Sequence, residues 1–136
     1  MSSIKDFLLT DVSEMKDEIR PSDRFKSPFV IRAITETKNE QLRKQNERVT
    51  INKRLGRKEK TIDQDGYMAD LILECIVEPD LKNKEMQTHY GTIGDAAGTL
   101  KAMVTSGEYA TLLEAVQELN GYDNDIDELR DEAKKD

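Results

Sequence analysis

The sequence predicts a mainly α fold with a small N-terminal β-hairpin, an α+β chain packed as a compact bundle of short helices. Three observations carry this. Tyr109, Leu112, Leu113, Val116 and Leu119 recur at steps of three and four and so line one face of a helix. YMADLILECIV, beginning at Tyr67, is apolar on nearly every side, as a central helix is. Phe29, Val30, Ile31 and Ile34 are strand formers, and DEIRPSDRF before them reads as their partner, an edge strand because of Pro21.

At 136 residues the chain predicts one domain with a modest core. Charged and hydrophobic residues each make up 36% and mean hydropathy is −0.74, a composition suited to one core with solvated or disordered extensions. A formal charge of −7 argues against general affinity for nucleic acid or a membrane surface. The charge is uneven. Residues 38–60 hold nine Lys/Arg against three Glu, and residues 122–136 hold seven Asp/Glu against three Lys/Arg. A basic middle and an acidic tail either attract each other or face different partners. Cys75 is the single cysteine, which fits a reducing compartment. MSSIKDFLLTDV lacks the apolar core of a signal peptide and no run is long enough to span a bilayer, so the expectation is a soluble cytoplasmic protein.

In chain order, Ile4, Phe7, Leu8 and Leu9 form a short apolar patch at near-helical spacing, either one turn docked on the core or a free sticky arm. Residues 17–34 predict the hairpin, connected through Lys26-Ser27-Pro28; alone it is marginal and needs the helices beneath it. Thr35 is the cap of a helix over 36–49 whose apolar stripe is only Leu42 and Val49. Residues 51–62, basic and interrupted by Gly56, predict a mobile loop. Thr61 and Gln64 have capping-box spacing, with Asp63 or Asp65 as alternative caps. The apolar helix that follows buries Cys75; a buried strand is the rival reading, and Ala69, Leu71 and the acidic caps favour helix.

After Pro79 three helices are predicted. The first covers 84–90 and closes at Gly91; the second covers 96–104, with Leu100, Met103 and Val104 inward. The third begins at the cap Ser106, carries Glu108 as first-turn negative charge and stops at Gly121. Residues 1–121 therefore form the domain, and 122–136 form an acidic tail, weakly helical or disordered, with Ile126 and Leu129 one turn apart.

No catalytic constellation is present in this reading. His89 has neither a recognisable partner carboxylate nor a metal pair and reads as a helix-end histidine. Cys75 lies in an apolar run, where a thiol is inert. Asp123, Asp125 and Asp127 suggest calcium, but position six of an EF-hand counted from Asp123 is Glu128 and position twelve is Lys134, so the motif fails. Gly91 and Gly94 lack the rest of a dinucleotide fingerprint. Lys53, Arg54, Arg57, Lys58 and Lys60 are the one patch able to meet phosphates, without aromatic residues among them for stacking. No enzyme activity, metal or cofactor is expected.

Several segments together resemble the XkdN-like phage tail assembly chaperones of contractile-tailed phages and prophage-like elements of Gram-positive bacteria. They are DFLLTDV, RFKSPFVIRAIT continuing into ETKNEQLRK, ADLILECIVEPDLKNKEMQTHYG, and GTLKAMVTSGEYATLLEAVQELNG, in that order over residues 6–121. The chain departs from the family pattern at Thr99-Leu100, Met103-Val104 and Ser106-Gly107, changes that keep helical character. The resemblance implies a non-enzymatic protein that binds the tape measure protein in the host cytoplasm. It would keep that protein soluble before the tail tube polymerises, and be absent from the mature virion. It implies contact with the tail tube protein as a further partner. It also implies a longer form made by ribosomal frameshifting, this sequence being the shorter. The apolar residues the core helices do not need, Phe7, Leu8 and Leu9 with Ile126 and Leu129, are the candidates for partner binding or self-association. Two other readings stand beside it: a structural or adaptor protein of the tail, and a small nucleic-acid-binding regulator using the basic segment.

Overall fold

The computed structural model of the chain describes residues 2–122. Two 3-10 turns, Ile4–Phe7 and Val12–Glu14, lead into β1 (Lys16–Ile19) and β2 (Phe29–Arg32). Then come α1 (Glu36–Gln45), β3 (Glu47–Asn52), β4 (Arg57–Ile62), α2 (Gln64–Cys75), β5 (Ile76–Glu78), α3 (Lys84–Tyr90), α4 (Ala96–Met103) and α5 (Ser106–Leu119). The fold is α+β, with five strands in two sheets, and this corrects the expectation of a helical bundle bearing only an N-terminal hairpin. β1 and β2 do pair antiparallel, from Lys16↔Arg32 to Ile19↔Phe29. However, β1 stops at Ile19, ahead of Pro21, so that residues 20–28 form the connection in place of Lys26-Ser27-Pro28 alone, and β5 adds to the far edge of β2. β3 and β4 form a second, separate sheet.

Two local causes explain the extra strands. The apolar run expected to stay helical as far as Val77 leaves the helix at Cys75. Ile76 and Val77 are β-branched, and Glu78 precedes a proline, which disfavours helical backbone there. The open edge of β2 supplies the hydrogen bonds these residues would otherwise lose. Likewise the helix predicted over 36–49 ends at Gln45. The Asn46 side chain donates to the Leu42 carbonyl at 2.8 Å, competing with the helical ladder, and Val49-Thr50-Ile51 is a β-branched run. Val49 therefore leaves the stripe it was predicted to share with Leu42: Leu42 is buried and Val49 is exposed.

The remaining helix ends follow local chemistry. Thr35, Asp63, Asn83 and Asp95 each accept a hydrogen bond from a first-turn amide of α1, α2, α3 and α4. The cap of α5 is Thr105, one residue before the predicted Ser106, and Glu108 completes a capping box with it. Gly91 ends α3 in the left-handed region at φ 68, where a side chain would be strained.

The core is two adjoining clusters that share α2. Ile72 packs with Phe29, Leu81, Leu100, Met103 and Leu112 in one. Tyr67, Leu71 and Cys75 pack with Ile31, Leu42 and Val116 in the other. β2 contributes Phe29 to the first and Ile31 to the second, while Val30 and Arg32 alternate away from the core. α2 is thus apolar around most of its circumference, with the two clusters meeting it on adjoining faces. Truncating Leu112, which is fully buried, is expected to cost about 2–5 kcal/mol in urea unfolding.

Candidate interaction surfaces

The N-terminal residues present the largest run of exposed apolar side chains. Ser3 and Asp6 form a capping box around the Ile4–Phe7 turn, and Asp11 caps the Val12–Glu14 turn through the Ser13 amide. These hydrogen bonds set the backbone without burying what it carries: Ile4 is 75% exposed, Phe7 67%, Leu8 73% and Leu9 82%. Of the two readings of this segment, docked turn or free arm, the structure shows the arm. The chain rejoins the body where the Ala33 amide donates to the Met15 carbonyl at 2.9 Å. Ile126 and Leu129, the other two candidate residues, lie outside the described residues, as does the rest of the tail after Tyr122.

The segment expected to be a mobile basic loop is the ribbon β3–β4. Its register pairs Val49 with Lys60, Ile51 with Lys58 and Glu47 with Ile62, so these six side chains share one face. Arg48, Thr50, Asn52, Arg57, Glu59 and Thr61 share the other. The turn is built by Asn52, whose Oδ1 accepts from the Arg54 and Leu55 amides at 3.0 and 3.1 Å. Gly56 closes it with φ 64. The base is tied to α1 and α2: the Asp63 amide donates to the Asn46 carbonyl at 2.8 Å, Asn46 Nδ2 donates to Asp70 at 2.8 Å, and Arg48 pairs with Asp63 at 3.2 Å. A Cβ on Gly66 would land on the Asn46 and Asp63 side chains, which would have to shift to admit it. The five cations singled out in the sequence do not form one surface. Lys53 and Arg54 lie in the turn, Arg57 is on the polar face, and Lys58 and Lys60 flank Val49 and Ile51.

A third surface is a groove of about 470 Å³ between α2, α4 and α5, lined by Met68, Val104, Tyr109 and Leu113 and bordered by Asp65 and Lys101. Tyr109 and Leu113 belong to the apolar α5 face read from the sequence, and they are only half-buried.

Beside this groove, the start of α5 is fastened by a buried carboxylate. Glu108 is 4% exposed. Its carboxylate accepts from Arg24 Nη2 at 2.6 Å and Nε at 3.0 Å, from the Thr105 amide at 2.7 Å, and from the Ser22 hydroxyl. Arg24 also donates to the Met103 carbonyl at 2.9 Å and lies over the Phe25 ring. These donors, Arg24 first, hold the Glu108 carboxyl down at about 2 against an ordinary 4.5. The sequence reading gave Glu108 only a first-turn charge. The signal available was Thr105-x-x-Glu108, a capping box, and its long-range partners Ser22 and Arg24 carry no sequence mark.

The residues weighed for catalysis are placed plainly. Cys75 is fully buried; burial pushes its thiol up to about 11, and Asn120 donates to its sulfur at 3.6 Å. His89 is exposed in the last turn of α3, edge-on to Tyr90. Among the described residues no three His, Cys, Asp or Glu side chains are grouped to hold a metal ion, and no helix is long and apolar enough to cross a membrane.

What the geometry presents is exposed apolar side chains and a shallow groove on a small α+β body. Comparison with known proteins gives the family. The family model described as phage XkdN-like tail assembly chaperone protein matches residues 4–134, and the chain belongs to that family. It is 30% identical to the phage-like element PBSX protein XkdN of Bacillus subtilis strain 168 over 107 residues, 79% of this chain and 72% of that protein. It is 33% identical to YqbN of the same strain over 107 residues, 79% of this chain and 71% of that protein. The crystal structure of the protein YqbN superposes with a TM-score of 0.66 at 27% identity, covering 85% of this chain and 90% of that one.

The Glu108 pKa lies below its unfolded value, so its contribution to stability is full above about 4.5 and is lost as pH falls towards about 2. Thermal melts of Glu108→Gln are expected to sit several degrees below the parent at pH 7, with the gap closing through that window. A gap unchanged at pH 2 would assign the effect to packing rather than charge. Cys75 is expected to resist a thiol reagent in the native chain and react fully in urea.

Proposed function

We propose that this tail assembly chaperone binds the tape measure protein in the host cytoplasm and keeps it soluble until the tail tube polymerises around it, without catalysis and without remaining in the virion. The observation that carries the reading is the exposed apolar arm Phe7, Leu8 and Leu9, held in shape by local caps rather than by the core. A long helical client exposes apolar faces that such an arm covers by hydrophobic contact. The groove bordered by Met68, Val104, Tyr109 and Leu113 is a second place for an apolar side chain of the client. Ile126 and Leu129 are further candidate contacts on sequence grounds. The net charge of −7 would keep the complex in solution.

Co-expression with the tape measure protein of the same gene cluster tests this directly. The client is expected in the soluble fraction and to co-purify; a client that stays insoluble, with this chain and with a frameshifted longer form alike, sinks the proposal. Presence of the chain in purified particles would instead make it a structural part of the tail. Leu8→Asp with Leu9→Asp is expected to leave the melting temperature within about a degree or two, since exposed substitutions cost within about 0.5 kcal/mol, while client recovery falls severalfold. A sharp drop in melting temperature would show these leucines to be core residues.

A further inference from the structure

The β3–β4 ribbon leaves an uncovered face, and the composition of the chain says what fits it. A two-stranded ribbon is marginal in water without a layer against it. Yet Val49 and Ile51, on the face shared with Lys58, Lys60 and Ile62, are 60% and 68% exposed. Residues 47–62 carry six Lys/Arg against two Glu. Elsewhere along this basic region the cations already have carboxylates: Lys38 has Glu74, Arg43 has Glu36, and Lys44 has Glu40. In the ribbon Arg48 has Asp63, whereas Lys53, Arg54, Arg57, Lys58 and Lys60 pair with no carboxylate among the described residues. Of these, Lys58 and Lys60 stand on the face of Val49 and Ile51.

Residues 123–136 have the complementary content: seven Asp/Glu against three Lys/Arg, with Ile126 and Leu129 as their aliphatic side chains of size. They also start in reach. Tyr122 receives a hydrogen bond from Asn39 Nδ2 at 3.3 Å, which places the end of the described chain against α1. From Asn39 to Asn46 along α1 is about 10 Å at 1.5 Å per residue, and Asn46 is the foot of the ribbon. The ribbon extends about 20 Å beyond it. Fourteen residues span up to about 45 Å when extended, enough to cover its length.

We propose that residues 123–136 of this chain seat on the Val49–Ile51–Ile62 face of the ribbon, with Ile126 and Leu129 against those side chains and the acidic residues against Lys58 and Lys60. This concerns the free chain: a client that takes Ile126 and Leu129 would displace the segment from the ribbon. The docked segment closes an apolar sheet face that would otherwise template association between chains. Carboxylates must come into contact for this, because at physiological salt charges separated by more than about 8 Å are screened.

The test uses the full chain with Ala133→Cys, a change that leaves the charge of the segment intact, and a nitroxide attached there. Buried Cys75 stays unlabelled. The methyl signals of Val49, Ile51 and Ile62 are expected to lose intensity relative to the reduced label in dilute sample. They are expected to recover in 1 M NaCl, where the screening length is about 3 Å, and in Lys58→Gln with Lys60→Gln. Unchanged intensities in the labelled chain overturn the proposal. So does broadening seen only when a labelled chain is mixed with a second, isotope-enriched copy, which would make the occupant another molecule. Broadening that survives both salt and the lysine substitutions overturns it as well, since charge complementarity would then play no part.

Discussion

A helix that is apolar around most of its circumference has to be enclosed, and α2 sets that requirement for the rest of the chain. Ile72 and, on the adjoining face, Tyr67, Leu71 and Cys75 belong to different clusters, so several elements have to close around the helix. The sheet face bearing Phe29 and Ile31, together with α1, α4 and α5, supplies those neighbours. With 136 residues and 36% hydrophobic content, little apolar material remains for a second layer elsewhere. The ribbon and the N-terminal arm are left outside the core for that reason, with their apolar side chains facing outward.

Polar fastenings then fix how the enclosing elements meet. Glu108 joins the loop after β1 to the start of α5 through Ser22, Arg24 and Thr105, and Arg24 carries the link on to the end of α4 by donating to the Met103 carbonyl. A carboxylate this buried is tolerated because a guanidinium, a hydroxyl and a backbone amide, drawn from two separate parts of the chain, all donate to it. On the opposite side, Asn39 and Asn46 serve α1 in the same way. Asn39 accepts from the Tyr67 hydroxyl and donates to Glu36 and Tyr122, while Asn46 links α1, the ribbon foot and α2 through Asp70. Among the described residues every buried side-chain polar atom has a partner. The body is therefore a rigid mount, and membership of the tail assembly chaperone family is in keeping with what it mounts: apolar side chains displayed on local turns and a ribbon rather than a pocket of polarised groups.

Much of the body was legible in the residues. The α5 face, the central helix with Cys75 inside it, the β1–β2 pairing, and the breaks at Gly91 and Gly121 all rest on short-range rules, namely period, capping and glycine conformation. The errors have one form. Where a segment was read by its hydrophobic content, as at Ile76-Val77, or by its charge, as at 51–62, the reading missed strands that depend on a partner. Val49-Thr50-Ile51 opposite Lys58–Ile62 carried a β-branched signal, but the lysines masked its alternation. The arm was legible as apolar and superfluous to the helices; whether it docked was not.

By itself the sequence determined that these helices exist, the cap of α1 at Thr35 and the stop of α3 at Gly91, the apolar face of α5, and the opposed charges of the middle and the tail. These follow from interactions within a few residues or from composition, which need no partner. Only the tertiary structure decided that β5 extends the sheet, that the basic segment pairs with Glu47–Asn52 as a ribbon, that Glu108 is buried on Arg24, and that Phe7, Leu8 and Leu9 stay exposed. A strand's hydrogen bonds, an ion pair spanning 84 residues and a side chain's burial are each set by groups distant in sequence, and those meet only once the chain has closed around α2.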